Sequence, residues 1–145
     1  VRKAGASRTG SAMRGGRGNL ATNQQMVAYL AQRGYDVLTL HVTDDDYSQR
    51  EADLTERQIY ERDIKLLQQA DLMIAEASTP SLGVGYEIAE ALHRSIPVLC
   101  LHRHDTNQPF SAMIAGIPHP RYRCLSYSGS GWMTVIENFL LEAKS

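Results

Sequence analysis

The sequence predicts an α/β fold: a single doubly wound domain of Rossmann-like or flavodoxin-like type, with a five-stranded parallel sheet and helices on both faces. Three observations predict it. Short apolar, strand-like runs ("YDVLTLHV", "DLMIAEA", "IPVLCLHR", "YRCLSYS") alternate with stretches of helical periodicity. Alternation of this kind builds parallel βαβ units rather than hairpins. The length of 145 residues, 43% hydrophobic and 21% charged, suits one domain with a substantial core. In such sheets ligands bind outside the carboxyl ends of the strands, near the point where strand order reverses.

The elements follow in order. Residues 1–10 hold the place of the first central strand. They carry few large apolar residues and no β-branched run, so that strand is expected to be irregular or atypical. Residues 19–33 place Leu20, Met26, Val27, Leu30 and Ala31 at helical spacing, and Gly34 ends the helix. Residues 35–42 read as a strand and 43–55 as a polar connector. Residues 54–70 form a second helix with Thr55 as N-cap. Residues 71–77 form a buried strand in which Glu76 is out of place. The Gly-rich "STPSLGVG" then leads to a third helix over 86–95. Residues 96–103 are a strand, 109–116 a short helix or turn, 121–127 the last strand, and 131–143 a closing helix. No internal repeat or low-complexity segment interrupts the pattern.

Composition narrows the partners. A formal net charge of −1 gives no reason to expect a nucleic acid polymer or a membrane surface. The longest apolar runs fall far short of the roughly 20 residues needed to span a bilayer. The N-terminus shows no signal-peptide pattern. Cys100 and Cys124 lie in apolar strand-like runs and read as buried reduced thiols. A cytoplasmic or nuclear setting is therefore expected.

Several residues are candidates for chemistry. Ile59, Asp63, Leu66, Leu67 and Ala70 share one face of the second helix, with Asp63 in the middle of the stripe. A buried aspartate is costly unless paired, so Asp63 is either structural, capping a loop or meeting an arginine, or an acid held in a cleft. Glu87 is expected in the first turn after the glycines. It either complements the helix macrodipole or acts as a carboxylate nucleophile at the mouth of the sheet. Glycosidic chemistry commonly uses two carboxylates, and Asp63 and Glu87 are candidates for such a pair. "SLGVG" offers backbone N–H groups at a helix start, and "SAMRGGRGN" (11–19) offers the same with Arg14 and Arg17 added. Two Gly-rich, hydroxyl-bearing loops suggest a phosphate. Neither has the spacing of a dinucleotide fingerprint or a Walker A loop. His41, at its strand end, either lines the same crevice or is a surface histidine. Metal binding is not expected: the five histidines share no helix face and no CxxC occurs. His102 and His104 read as solvated. No "GxSxG" elbow supports a serine triad.

At "SAMRGGRGN", "LTLHV", "IYERDIKLLQQADLMIAEASTPSLGVGYEIAEAL" and "FSAMIAG" the chain resembles the 2'-deoxynucleoside 5'-phosphate N-hydrolases of the nucleoside 2-deoxyribosyltransferase-like superfamily. The match spans most of residues 11–116 and is most specific from Ile59 to Leu92. The resemblance implies hydrolysis of the N-glycosidic bond of deoxynucleoside monophosphates, giving a free base and 2-deoxyribose 5-phosphate, without a cofactor. It assigns Glu87 as nucleophile and Asp63 as the group assisting base departure. It puts Ser81 and Gly83, with the "RGG" residues Arg14, Gly15 and Gly16, around the 5'-phosphate, counts Ser11 and Met13 among the substrate-binding residues, and has His41 on the base side. It has Ser111 and Met113 reach into a neighbouring subunit's site, and so implies a homodimer. One departure stands out. The family carries a tyrosine in its first strand, where this chain offers Ser7 or Arg8 and has no tyrosine before Tyr29, and "GSAMRGG" is one residue longer than the usual loop.

Three alternatives remain beside the hydrolase. A deoxyribosyltransferase would pass the sugar to an acceptor base. A riboside-monophosphate phosphoribohydrolase would usually carry "PGGxGT", where this chain has "PSLGVG". A nucleotide-binding module without catalysis is suggested by the missing tyrosine.

Overall fold

The computed structural model describes residues 6–11, 20–38 and 52–145, with side-chain surroundings described from residue 20 onward within those segments. Along the chain run β1 (Ala6–Ser11), α1 (Leu20–Gln32), β2 (Asp36–Val37), α2 (Glu56–Gln68), β3 (Leu72–Glu76), α3 (Leu82–His93), β4 (Val98–Arg103), α4 (Ala112–Ala115), β5 (Tyr122–Tyr127) and α5 (Trp132–Ala143). The strands lie in one sheet in the order β2-β1-β3-β4-β5, all neighbours parallel. The α/β class with a parallel sheet is thus the expected one. Three of the strands, β3, β4 and β5, carry the sheet's described side-chain packing, apart from the partly buried edge of β2.

The irregular opening segment still supplies β1. It pairs with β3 from Ser7↔Leu72 to Ser11↔Glu76, despite its lack of apolar residues. Backbone pairing on both edges holds a strand whose own propensity is poor. Because β1 leads outward to β2 while β3 leads the other way to β4, strand order reverses between β1 and β3. A crevice at the carboxyl ends of those two strands is the expected ligand position.

Both faces of the sheet are covered, which is why β3 is buried at every position. On one face Met73, Ala75, Val98 and Cys100 pack with Leu67 of α2 and Val84, Ile88 and Ala91 of α3. On the other, Leu72, Ile74, Leu99 and Leu101 pack with Met26 and Leu30 of α1 and Trp132, Ile136 and Phe139 of α5.

Local signals explain the element ends. Thr55 caps α2 in a full capping box with Gln58. Gly34 follows α1 with φ of 81°, a left-handed conformation that glycine adopts without strain. The third helix departs from expectation: it starts at Leu82, not at residue 86, because Ser81 caps it by accepting the Val84 N–H at 3.3 Å. Two glycines in the first turn are tolerated once that cap is in place.

Candidate active site

The earlier start of α3 moves Glu87. It lies beyond the first turn, which holds no acidic residue, so the macrodipole role expected for it does not apply. Glu87 is half-buried on the flank of α3, one residue from Tyr86. The Tyr86 ring meets Tyr60 of α2 edge-on at 5.9 Å, and their hydroxyls lie 3.1 Å apart. Tyr60 and Asp63 are one turn apart on α2. The two helices that carry the candidate carboxylates therefore pack directly on one another.

Asp63 is not at the centre of the apolar stripe. The buried residues of α2 are Ile64 and Leu67, so the stripe is centred between them and Asp63 lies at its edge. Its side chain keeps 23% exposure and accepts a 2.9 Å hydrogen bond from Arg62 Nε.

Ser81 holds the N-cap of α3, and the chain around it opens onto a cavity of about 550 Å³. Its walls are the β3–α3 connection from Ala77 to Leu82, the inner side of α3 at Val84, Gly85 and Ile88, and the segment from Thr106 to Ile114. Ser111 lines it too. Neither Glu87 nor Asp63 is among the residues that line it, although Tyr86 and Ile88 on either side of Glu87 are. Ser111 occupies the N-cap position of α4 without a side-chain cap bond, and Met113 is 83% exposed. Tyr122 Oη, rising from β5, donates to Ile114 O at 2.9 Å and holds that short helix down.

Of the remaining expected residues, Ser11 ends β1 opposite Glu76. Met13, Arg14, Gly15, Gly16, Arg17 and His41 fall outside the described residues. Gly83 is exposed in the first turn of α3. Among the histidines, His104 is exposed as expected. His102 is half-buried and stacks on Phe110 at 4.2 Å, which corrects its reading as solvated. Cys100 and Cys124 are free thiols placed opposite one another on β4 and β5, the first buried and the second half-buried. Among the described residues no group of three or more His, Cys, Asp or Glu is arranged to hold a metal ion. No described helix is long and apolar enough to cross a membrane.

Sequence reasoning marked Glu76 as odd but missed its company. Glu76 is fully buried at the end of β3. Its Oε1 accepts from the Ser78 backbone N–H at 3.3 Å, the Ser78 hydroxyl and the Tyr127 hydroxyl at 3.3 Å. Burial pushes its carboxyl above the ordinary glutamate range, against those hydrogen bonds and the Arg103 charge, which pull it down. The available signal was the run of hydroxyls after the strand, Ser78, Thr79 and Ser81, directly following a buried acid.

Comparison with known proteins places the chain in a family. A family model described as nucleoside 2-deoxyribosyltransferase matches residues 11–138. A protein named putative 2'-deoxynucleoside 5'-phosphate N-hydrolase 1 from Methanococcoides burtonii is 48% identical over 104 residues, 72% of this chain and 84% of its own. A namesake from Thermofilum pendens is 47% identical over 116 residues, 80% of each chain. A 5-hydroxymethyl-dUMP N-hydrolase from Mus musculus is 43% identical over 106 residues, 72% of this chain and 61% of its own. Among solved structures, the CMP N-glycosidase BcmB of Clostridium botulinum superimposes with a TM-score of 0.66, covering 91% of this chain and 98% of that one. At 18% identity it speaks for the fold alone.

Proposed function

The chain belongs to the nucleoside 2-deoxyribosyltransferase family, and from that premise we propose that it hydrolyses the N-glycosidic bond of 2'-deoxynucleoside 5'-monophosphates, releasing a free base and 2-deoxyribose 5-phosphate. The observation that carries this reading is the pair of carboxylates, Glu87 and Asp63, on two helices packed together, the Glu87 helix also contacting β1 and β3, between which strand order reverses. The names borne by the relatives support it.

In this reading the residues form one domain with one site. Glu87 attacks C1' as the bond to the base breaks, the electron pair leaves with the base, and Asp63 delivers a proton to it. Water then attacks C1', its proton passes to Asp63, and Glu87 departs as a carboxylate. A sugar without a 2'-hydroxyl supports positive charge at C1' more readily, and the carboxylate stabilises that charge in the transition state. The sequence balances with substrate and water alone. Ser81, Gly83 and the first amides of α3 take the 5'-phosphate, together with Arg14, Gly15 and Gly16, while Ser11 at the end of β1 and Met13 also bind substrate. Phosphate binding supplies positioning energy remote from the reacting bond. His41 faces the base.

Ser111 and Met113 serve the site of a second copy, making the active form a homodimer. The exposed apolar side chains near the site, Leu82 at 96% and Met113 with Tyr60 and Tyr86, support such an interface. A cytoplasmic or nuclear setting goes with the two free thiols.

The test is a chromatographic product assay with the four deoxynucleoside monophosphates and the matching ribonucleotides. Free base is expected from deoxynucleotides only, and not with Glu87→Ala. A wild-type protein that binds nucleotide and releases no base refutes hydrolysis and leaves a binding module. The description of the matching family model favours a second reading, transfer of the sugar to another base. Adding an acceptor base distinguishes it, because a new deoxynucleotide then accumulates.

A further inference from the structure

Glu76 is the one acidic side chain that the described core buries completely, and the proposed chemistry does not use it. It continues the face of β3 that carries Leu72 and Ile74, where an apolar residue would be the inexpensive choice. Such a group persists when its hydrogen bonds hold something in place.

Ser78 is what it holds. β3 stops at Glu76, opposite Leu101, whereas β4 continues to Arg103. Ala77 N–H still reaches Leu101 O at 2.8 Å. One step further, the Arg103 N–H donates at 2.8 Å to Ser78 Oγ, so a side chain takes the place of the missing strand backbone. That hydroxyl in turn donates to Glu76 Oε1, which also takes the Ser78 N–H and the Tyr127 hydroxyl from β5. Three adjacent strand ends are therefore tied through Glu76 and Ser78 together. Glu76 is also the register partner of Ser11, the last residue of β1, after which the sequence turns Gly-rich. From Ser78 the chain has only Thr79 and Pro80 before it reaches Ser81, the N-cap of α3.

We propose that Glu76 and Ser78 are positioning residues for phosphate binding: the carboxylate fixes Ser78, and Ser78 fixes the short connection that presents Ser81 and the first amides of α3 to the substrate phosphate. The inference rests on the reading of Ser81 as a phosphate contact, and it assigns no contact with substrate to Glu76 itself.

The experiment measures binding of 2-deoxyribose 5-phosphate by calorimetry, since this ligand has no glycosidic bond to cleave. It is run on wild type, Ser78→Ala, Ser78→Thr and Glu76→Gln, with KM and kcat for a deoxynucleoside monophosphate measured beside it. Ser78→Ala leaves the Arg103 amide and the Glu76 carboxyl each short of a partner. About tenfold weaker binding and a similar rise in KM are expected, with kcat changed less than threefold. Ser78→Thr keeps the hydroxyl at a position that lines the cavity, so it restores binding to within about threefold. Should Ser78→Ala fail to fold, Glu76→Gln, which keeps the shape but alters the acceptor, carries the same expectation. Unchanged affinity in both variants, or lost stability with affinity intact in the folded protein, overturns the proposal. A wild type that binds the sugar phosphate but cleaves no nucleotide, with the variants still weakened, sinks the hydrolase reading and leaves the positioning role standing. A wild type that does not bind the sugar phosphate overturns both.

Discussion

Ser81→Asp separates the structural role of Ser81 from its proposed role in binding. As N-cap, Ser81 accepts the Val84 N–H at 3.3 Å. Aspartate caps as well as serine and suits the positive end of the helix, so folding stability should be kept. The same carboxylate would stand where the substrate phosphate is bound. Two like charges about 5 Å apart at an effective dielectric near 20 repel by about 3.3 kcal/mol, or about 250-fold in affinity, for each phosphate charge. KM for a deoxynucleoside monophosphate should therefore rise more than about 100-fold, with the thermal midpoint within about 2 °C of wild type. Cleavage of the corresponding deoxynucleoside, which has no phosphate, should be unaffected. Ser81→Ala should do the reverse in part, losing about 1 kcal/mol of stability and about 10- to 100-fold in KM. Wild-type KM for the nucleotide in Ser81→Asp, with an unchanged midpoint, would show that the phosphate does not lie at this helix end.

Three further perturbations follow from the packing. Because burial raises the Glu76 carboxyl, the folded chain holds that proton more tightly than the unfolded one. The associated stability is fully present below the unfolded value of about 4.3 and is lost as pH rises through the raised folded value. Glu76→Gln lacks this titration, so its stability relative to wild type should climb across that window in denaturant titrations, and a pH-independent difference would refute the argument. Tyr122→Phe removes the bond to Ile114 O and should cost about 1 kcal/mol. It should also speed hydrogen exchange at the Ala115 and Gly116 amides of α4, and unchanged exchange would mean that Tyr122 does not hold that helix. The Cys100 hydrogen bond brings the Cys124 thiol down to about 7, while Cys100 is raised by the same bond and by burial. Iodoacetamide at neutral pH should label Cys124 first, as read by peptide mass spectrometry, and equal labelling of the two thiols would contradict this.

The strands β3 and β4 could be read from the sequence because strands buried on both faces are continuous apolar runs that resemble little else. The start of α3 was misread for a local reason. Gly83 and Gly85 look like a turn, yet Pro80 followed by Ser81 is the stronger mark of a helix beginning. Ile64, buried beside Leu67, shifts the centre of the α2 stripe away from Asp63. The cavity was out of reach of pattern reading, since Ser78, Ile88 and Phe110 belong to three separate segments. The same holds for Tyr127, which meets Glu76 across 51 residues of chain. Side-chain alternation reports which face a residue occupies, not which distant residue it meets there.

The early start of α3 also turns that helix into a gauge. Ser81 and Glu87 ride on one rigid rod, about 9 Å apart along its axis at 1.5 Å per residue. A residue added in the connection before Ser81 would leave their spacing intact. A residue added between them would lengthen it and swing Glu87 about 100° around the rod. Under the proposed roles of Ser81 and Glu87, the span between the substrate's phosphate and its sugar carbon is recorded in chain length, and deletions or insertions inside "SLGVGYE" should be far less tolerated than those just upstream.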